Sequence, residues 1–204
     1  CDLLKGQGIF CLDFKLEFPG AQTDLVAASE KYLRPYDLKE YVVLAPGGGL
    51  EAEGEKDNRS WPGGHFAALA GLLIQDGQRV MLLGGAGDAG VAAAIKAAHP
   101  AVADLTGRAT LAEMAALMKM SRLAVCNDSG LMHIAGALNI PTVAIFGSTN
   151  PVTTSPIGEK IIVVREEVSC SPCLKETCPT DFRCMNLITV DDVFSAAQNI
   201  MKRS

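Results

Sequence analysis

No basic run stands out along the 204 residues: 18 Lys and Arg stand against 23 Asp and Glu, a formal net charge of −5. The dense positive footprint of a nucleic-acid groove is therefore missing. No stretch reaches the roughly 20 apolar residues of a membrane-spanning helix, and no signal peptide is visible. The chain opens on Cys1, not Met, so it is expected to be a processed form or a fragment, and the missing leader carries little weight. There is no internal repeat, no low-complexity tract and no Asp-x-Asp carboxylate cluster. An evenly paired cysteine framework is also missing. The seven cysteines are odd in number and four of them crowd into one loop, which does not fit an all-paired secreted protein. A reducing cytoplasm is expected. Cys126 lies in an apolar run, where a thiol behaves as a small hydrophobe.

What is present is an alternating rhythm. Tyr41 to Ala45 reads as a buried strand that ends in Pro-Gly-Gly-Gly. Pro62 opens a helix with Phe66, Leu69, Ala70 and Leu73 on one face. Strands are expected at Val80 to Leu83, Val102 to Leu105, Leu123 to Cys126, Thr142 to Phe146 and Ile161 to Val164. Helices are expected at Gly87 to Ala98, behind the capping box Thr110-Leu-Ala-Glu113, at Gly130 to Asn139, and behind Thr189-Val-Asp-Asp192. Apolar strands without polar alternation, separated by amphipathic helices, imply an α/β fold: a doubly wound, Rossmann-like parallel sheet covered on both faces. This domain is expected over residues 39–204. Residues 1–38, with an ambiguous run Gly8 to Phe18 and a helix candidate Ala21 to Leu33, read as an attachment.

Open α/β sheets bind ligands beyond the carboxyl ends of their strands, and three strand-end loops stand out. The first is Pro46-Gly47-Gly48-Gly49, followed by Lys56 and Arg59 ahead of a helix start. Backbone amides and a helix dipole there suit a phosphate; a flexible turn with solvated charges is the alternative. The second is Gly85-Ala-Gly-Asp-Ala-Gly90, formally a dinucleotide fingerprint, with Asp104 ending the next strand where a ribose-binding acid would sit. It follows the second strand of the domain and puts Asp88 toward a pyrophosphate, so it reads as a decoy in which Asp88 instead accepts from ribose hydroxyls. The third is Asn127-Asp128-Ser129-Gly130. Asp128 is the expected N-cap of the next helix, whose core face would be Leu131, Ile134, Ala135 and Leu138. Ser129 and His133, four apart, share the opposite face beside free helix amides. A phosphate or sugar hydroxyl fits there, against a plain cap and a solvated His.

The block Asn127-Asp-Ser-Gly-Leu-Met-His133, with Pro141 and Phe146-Gly-Ser-Thr-Asn-Pro151, resembles glycosyltransferase family 9, which includes the ADP-heptose:lipopolysaccharide heptosyltransferases. Pro46-Gly-Gly-Gly49, the basic-x-Trp-Pro motif Arg59 to Pro62, Leu105-Thr-Gly107 and the late cysteine loop agree with it, from about Leu38 onward. The resemblance implies the C-terminal, donor-binding half of a two-Rossmann-domain (GT-B) enzyme. The acceptor site and the catalytic base would lie in an N-terminal half, so no catalytic residue is assigned here. It implies an ADP-sugar donor, a lipopolysaccharide core acceptor, no required cofactor and no nucleic-acid partner. The setting would be the cytoplasm, at the inner face of the inner membrane. Donor contacts would come from Gly47, Gly48, Arg59, Asp88, Thr106, Gly107, Asp128, Ser129, Gly130, Leu131 and His133. Amides from Ser129 to Leu131 and Arg59, which replaces the relatives' common Lys, would stabilise the leaving phosphate.

The loop Cys170-x2-Cys173-x4-Cys178-x5-Cys184 fits a bound metal or reduced or locally paired structural thiols. A nicotinamide-dependent oxidoreductase, a sugar-nucleotide epimerase and a non-catalytic nucleotide-sugar-binding domain are the rival readings.

Overall fold

The computed structural model describes residues 29–48, 58–175 and 177–203. Gly8 to Phe18, most of Ala21 to Leu33, Gly49 and Lys56 lie outside the described residues. Six strands form one parallel sheet: β1 (Val42–Ala45), β2 (Val80–Leu82), β3 (Ala103–Asp104), β4 (Leu123–Asn127), β5 (Thr142–Phe146) and β6 (Ile161–Arg165). Their order is β3-β2-β1-β4-β5-β6. The chain winds outward from β1 through α1 (Gly63–Gln75), β2 and α2 (Ala89–Ala98) to β3. It then crosses back along α3 (Leu111–Lys119) to place β4 on the other side of β1, and continues through α4 (Gly130–Ala137) to β5 and β6. The expected doubly wound sheet is the one observed.

The strands form because they are apolar on both faces, and both faces are covered. Val43, Ala45, Ala124 and Cys126 point into a core shared with Met114, Leu117, Met118, Met132 and Ala135 of α3 and α4. Val42, Leu44, Leu123 and Val125 point the other way, onto Phe66, Leu69 and Leu73 of α1, Ile95 of α2, and Val193, Ala197 and Ile200 of α7 (Val190–Arg203). The segment ahead of the expected boundary at residue 39 joins the first core, with Tyr32, Leu33 and Leu38 buried in it. Tyr32 Oη also donates to the Arg108 carbonyl at 2.9 Å, and Lys31 Nζ meets Glu113 Oε1 at 2.8 Å.

The expected capping box at Thr110 and the expected cap at Thr189 are both present. Thr110 N–H donates to Glu113 Oε2 at 2.8 Å and Glu113 N–H donates back to Thr110 Oγ1 at 3.3 Å. Thr189 and Asp192 repeat the exchange at 3.1 and 3.2 Å ahead of α7. α4 stops at Ala137, two residues short of the expected end. Asn139 turns left-handed at φ 53°, and Pro141 follows. Two one-turn helices, α5 (Pro151–Thr154) and α6 (Arg183–Asn186), were not anticipated; four residues are too few to show a period.

Candidate functional site: the crevice between β1 and β4

The strand order reverses between β1 and β4. Their helices leave on opposite faces there, which opens a crevice at the carboxyl ends of the strands. Ala45 stands opposite Cys126, so Pro46-Gly47-Gly48 and Asn127-Asp128-Ser129 emerge side by side. Asn127 ties this edge together. Its side chain is fully buried; Nδ2 donates to the Pro46 carbonyl at 2.7 Å and Oδ1 accepts from the Trp61 amide at 3.0 Å. Trp61, 1 % exposed, donates from Nε1 to the Ile188 carbonyl at 3.0 Å and meets the Phe66 ring edge-on. The Trp of the basic-x-Trp-Pro motif is thus an anchor. It anchors the start of α1 beside the crevice, with Arg59 half-buried in the preceding turn.

Beside the crevice a cleft of about 560 Å³ is walled by Gly47 and Gly48, by Ser60 to Gly63 at the α1 start, by Gly87, Asp88 and Val91, and by Thr180 to Phe182, Met185 and Asn186. A side chain on Gly47 would overlap the Asp88 carboxylate, so any larger residue there would have to displace Asp88. Asp88 closes its own turn, its Oδ2 accepting the Gly85 amide at 2.9 Å. That turn follows β2, away from the switch point, and Asp104 is occupied in accepting the Thr106 amide at 2.9 Å. Both observations agree with treating the glycine fingerprint as a decoy.

The loop after β3 rests on the glycine turn after β2. Gly107 is left-handed at φ 69°, with only 3.2 Å between the place of a Cβ and Ala86 Cα. Its amide donates to the Gly84 carbonyl at 3.0 Å. Thr106 is 7 % exposed, and its Oγ1 is buried with no partner among the described residues. Such a group costs about 1–3 kcal/mol unless a ligand or water satisfies it.

The structure corrects the role expected of Asp128. Ser129 occupies the N-cap of α4, in extended conformation and without a side-chain cap bond. Asp128 is buried and accepts from Thr149 Oγ1 at 2.7 Å, which braces the β4 exit against the β5 exit. The reason is geometric: Asp128 leaves the strand one residue too early to reach back to the first-turn amides, and Thr149 of the neighbouring strand-end loop lies within reach. The α4 N-terminus therefore starts at the β4 exit without a side-chain cap at Ser129, and first-turn amides are the donors a helix leaves without intrahelical partners. Gly130 and His133 are exposed and Ser129 and Leu131 half-buried; Leu131 packs against the core as expected, and Met132 is buried within it.

The structure therefore brings Gly47, Gly48 and Asp88 into the cleft wall. It sets Asp128, Ser129, Gly130, Leu131 and His133 on the β4 side of the crevice, and Thr106 and Gly107 beyond the Asp88 turn. Asn127, Thr149 and the wall from Thr180 to Asn186 were missed. A signal for Asn127 existed: an amide at the end of an otherwise apolar buried strand needs partners for both of its ends.

The four late cysteines converge. Cys170, Cys173, Cys178 and Cys184 line one cavity of about 200 Å³ together with Asn58, Lys175 and Arg183. They are unpaired thiols. Among the described residues, no three His, Cys, Asp or Glu side chains already stand in a metal-ligating group. Cys126 is different: burial pushes its thiol up to about 12, which makes it the inert small hydrophobe expected.

The sequence matches the family described as glycosyltransferase family 9 (heptosyltransferase) over residues 12–182, reaching into the segment ahead of Leu38. It is 39 % identical over 152 residues to lipooligosaccharide heptosyltransferase 2 of Haemophilus influenzae, covering 72 % of this chain and 42 % of that protein. The structure of the E. coli ADP-heptose lps heptosyltransferase II superposes with a TM-score of 0.71 at 27 % identity, over 92 % of this chain and 53 % of that one. An E. coli heptosyltransferase solved with ADP shares the fold at a TM-score of 0.66 and 23 % identity, over 97 % of this chain and 53 % of that one. The chain thus spans about half the length of these relatives. A match running through most of its residues, laid over the parallel sheet and crevice described above, shows that the chain belongs to glycosyltransferase family 9.

Proposed function

We propose that the chain holds the donor of a heptosyl transfer, an ADP-sugar whose sugar passes to a lipopolysaccharide core acceptor. The observation that carries this reading is the β1/β4 crevice, where Asn127 fastens a glycine turn and the α1 entry beside the uncapped amides of α4. The solved relative that binds ADP and the relatives named for lipooligosaccharide and lipopolysaccharide support the nucleotide and the acceptor class. Residues 39–204 form the donor-binding unit in this reading, and residues 1–38 lead from a half that supplies the acceptor site and the base.

As the bond between the sugar and the β-phosphate breaks, negative charge grows on the leaving phosphate. The amides of Ser129 to Leu131 and the Arg59 guanidinium stabilise that charge more in the transition state than in the ground state. Gly47 and Gly48 let the backbone approach the phosphates, Thr106 and Gly107 with Asp88 receive the nucleoside, and Asp128 and His133 face the sugar. Asp128 shapes the loop and does not attack. The base that takes the acceptor proton comes from the other half. No helix among the described residues is long and apolar enough to cross a membrane. The reading places the chain in the cytoplasm, at the inner face of the inner membrane where a lipid-linked acceptor is presented.

Titration calorimetry tests this against the oxidoreductase reading. ADP or an ADP-sugar is expected to bind at least tenfold more tightly than NADH, equivalent to about 1.4 kcal/mol. NADH binding more tightly than ADP would move the site to the glycine fingerprint and overturn the proposal.

A further inference from the structure

The two edges of the sheet are built differently. β3 ends one side with only two residues, Ala103–Asp104, and so short an edge offers little to pair with. β6 ends the other side with five, Ile161–Arg165, whose first four are apolar. It runs beside β5 in unbroken register, from Thr142↔Ile161 to Phe146↔Arg165. Proline, a bulge and a central charge, the usual protections of an exposed edge, are all missing from it.

One hydrogen bond fixes which way the free groups point. The Lys160 carbonyl accepts from the Thr142 amide at 2.9 Å, so Lys160 turns its backbone groups toward β5. Alternation turns Ile162 and Val164 the same way and points the N–H and C=O of Ile161, Val163 and Arg165 outward. Among the described residues these outward groups have no backbone partner. Val163, at the centre of the strand, is 36 % exposed.

We infer that β6 pairs with β6 of a second copy of this chain, antiparallel about a two-fold axis between the two Val163 residues, so that one sheet runs through both copies. Opposite residues of an antiparallel pair can exchange both bonds, so outward-pointing residues must meet one another. About Val163, Ile161 meets Arg165 of the second copy, Val163 meets Val163, and Arg165 meets Ile161. Moving the axis to Ile162 or Val164 sets one of the three against a residue outside the strand. The Val163 register also continues both faces: Ile162, packed on the α7 side, lies against Val164 of the second copy, and the two Val163 side chains stand together on the other face. Charge selects the same partner. Exposed Lys160 falls opposite half-buried Glu166 at both ends of the pairing, a complementarity that only symmetry supplies twice. The next pair out, Glu159 with Glu167, is like-charged, but it lies beyond the strands with both side chains exposed, where salt screens it.

Five residues a side make a small joint, so the association is weak and depends on concentration. β5 separates the joint from β4, which leaves the crevice open in both copies. The association needs no nucleotide and stands apart from the donor proposal.

Sedimentation of the 204-residue chain from about 5 µM to about 500 µM, the range of a weak complex, should show one copy giving way to two. No larger species is expected, because a two-fold contact closes on itself. Amide hydrogen exchange followed by NMR identifies the surface. The Ile161, Val163 and Arg165 amides should slow by about threefold or more at the higher concentration, while those of Ile162 and Val164, already bonded to β5, keep their rates. Val163→Lys should hold the chain as a single copy. Lys160→Glu should weaken association at least about tenfold, and adding Glu166→Lys should restore it. A chain that stays single at the highest concentration overturns the inference. So does association that leaves the three amides exchanging freely, or that survives Val163→Lys. A double variant no tighter than Lys160→Glu alone overturns the Val163 register.

Discussion

Asn127→Ala is expected to destabilise the chain by about 3 kcal/mol. The substitution removes both partners of the β1/β4 edge at once, leaving the Pro46 carbonyl and the Trp61 amide buried without bonds. Each orphan costs about 1–3 kcal/mol, and at this chain length 1 kcal/mol moves the midpoint by roughly 2–4 °C. Thermal unfolding followed by circular dichroism should therefore show a fall of roughly 6–12 °C. Because the bracket also sets Gly47 and the α1 entry beside the α4 amides, ADP affinity should fall even at temperatures where the variant remains folded. A midpoint within 2 °C of the parent's would mean that the two loops hold their places without Asn127.

The second large effect concerns charge at the crevice. Arg59→Ala removes a charge-assisted contact to a phosphate, worth about 1.5–3 kcal/mol, and should weaken ADP and ADP-sugar alike by tenfold or more. In an enzyme complete with its acceptor half, turnover should drop further, since the leaving-group charge peaks in the transition state. Asp128→Asn separates brace from charge. The amide oxygen can still accept from Thr149 Oγ1, so the unfolding midpoint should stay close to the parent's. Turnover or donor affinity should nevertheless fall at least about tenfold, or 1.4 kcal/mol. Arg59→Ala and Asp128→Asn chains with unchanged donor binding and rate would reduce Asp128-Ser129-Gly130 to loop architecture and remove Arg59 from the phosphate site.

Helix and strand positions were legible because each reports on its own surroundings. Leu123 to Cys126 must be a buried strand, since four consecutive apolar residues cannot face water on either side of a sheet. The Thr110 and Thr189 boxes could be read because both halves of each exchange lie within three residues. Asp128 was misassigned for the complementary reason. A cap was the only partner visible nearby, whereas its actual partner Thr149 is 21 residues away. Asp88 showed the same limit: its turn was readable, but its packing against Gly47 across two loops was not.

Composition and period by themselves determined the fold class and the strand-end loops in which chemistry was to be sought; the strand order, and with it the crevice between β1 and β4, came from the structure. Burial of apolar side chains at fixed spacing is a local, nearly sequence-additive effect. Only the tertiary structure decided who bonds to whom there. Asn127 reaches Pro46 across 81 residues and Trp61 across 66, and the cysteine loop becomes a wall of the cleft because its carbonyl at Lys175 meets Asn58 across 117. A hydrogen bond depends on distance and direction at the scale of a few tenths of an ångström. Those are set by the packing of both sheet faces together, not by any single segment of chain.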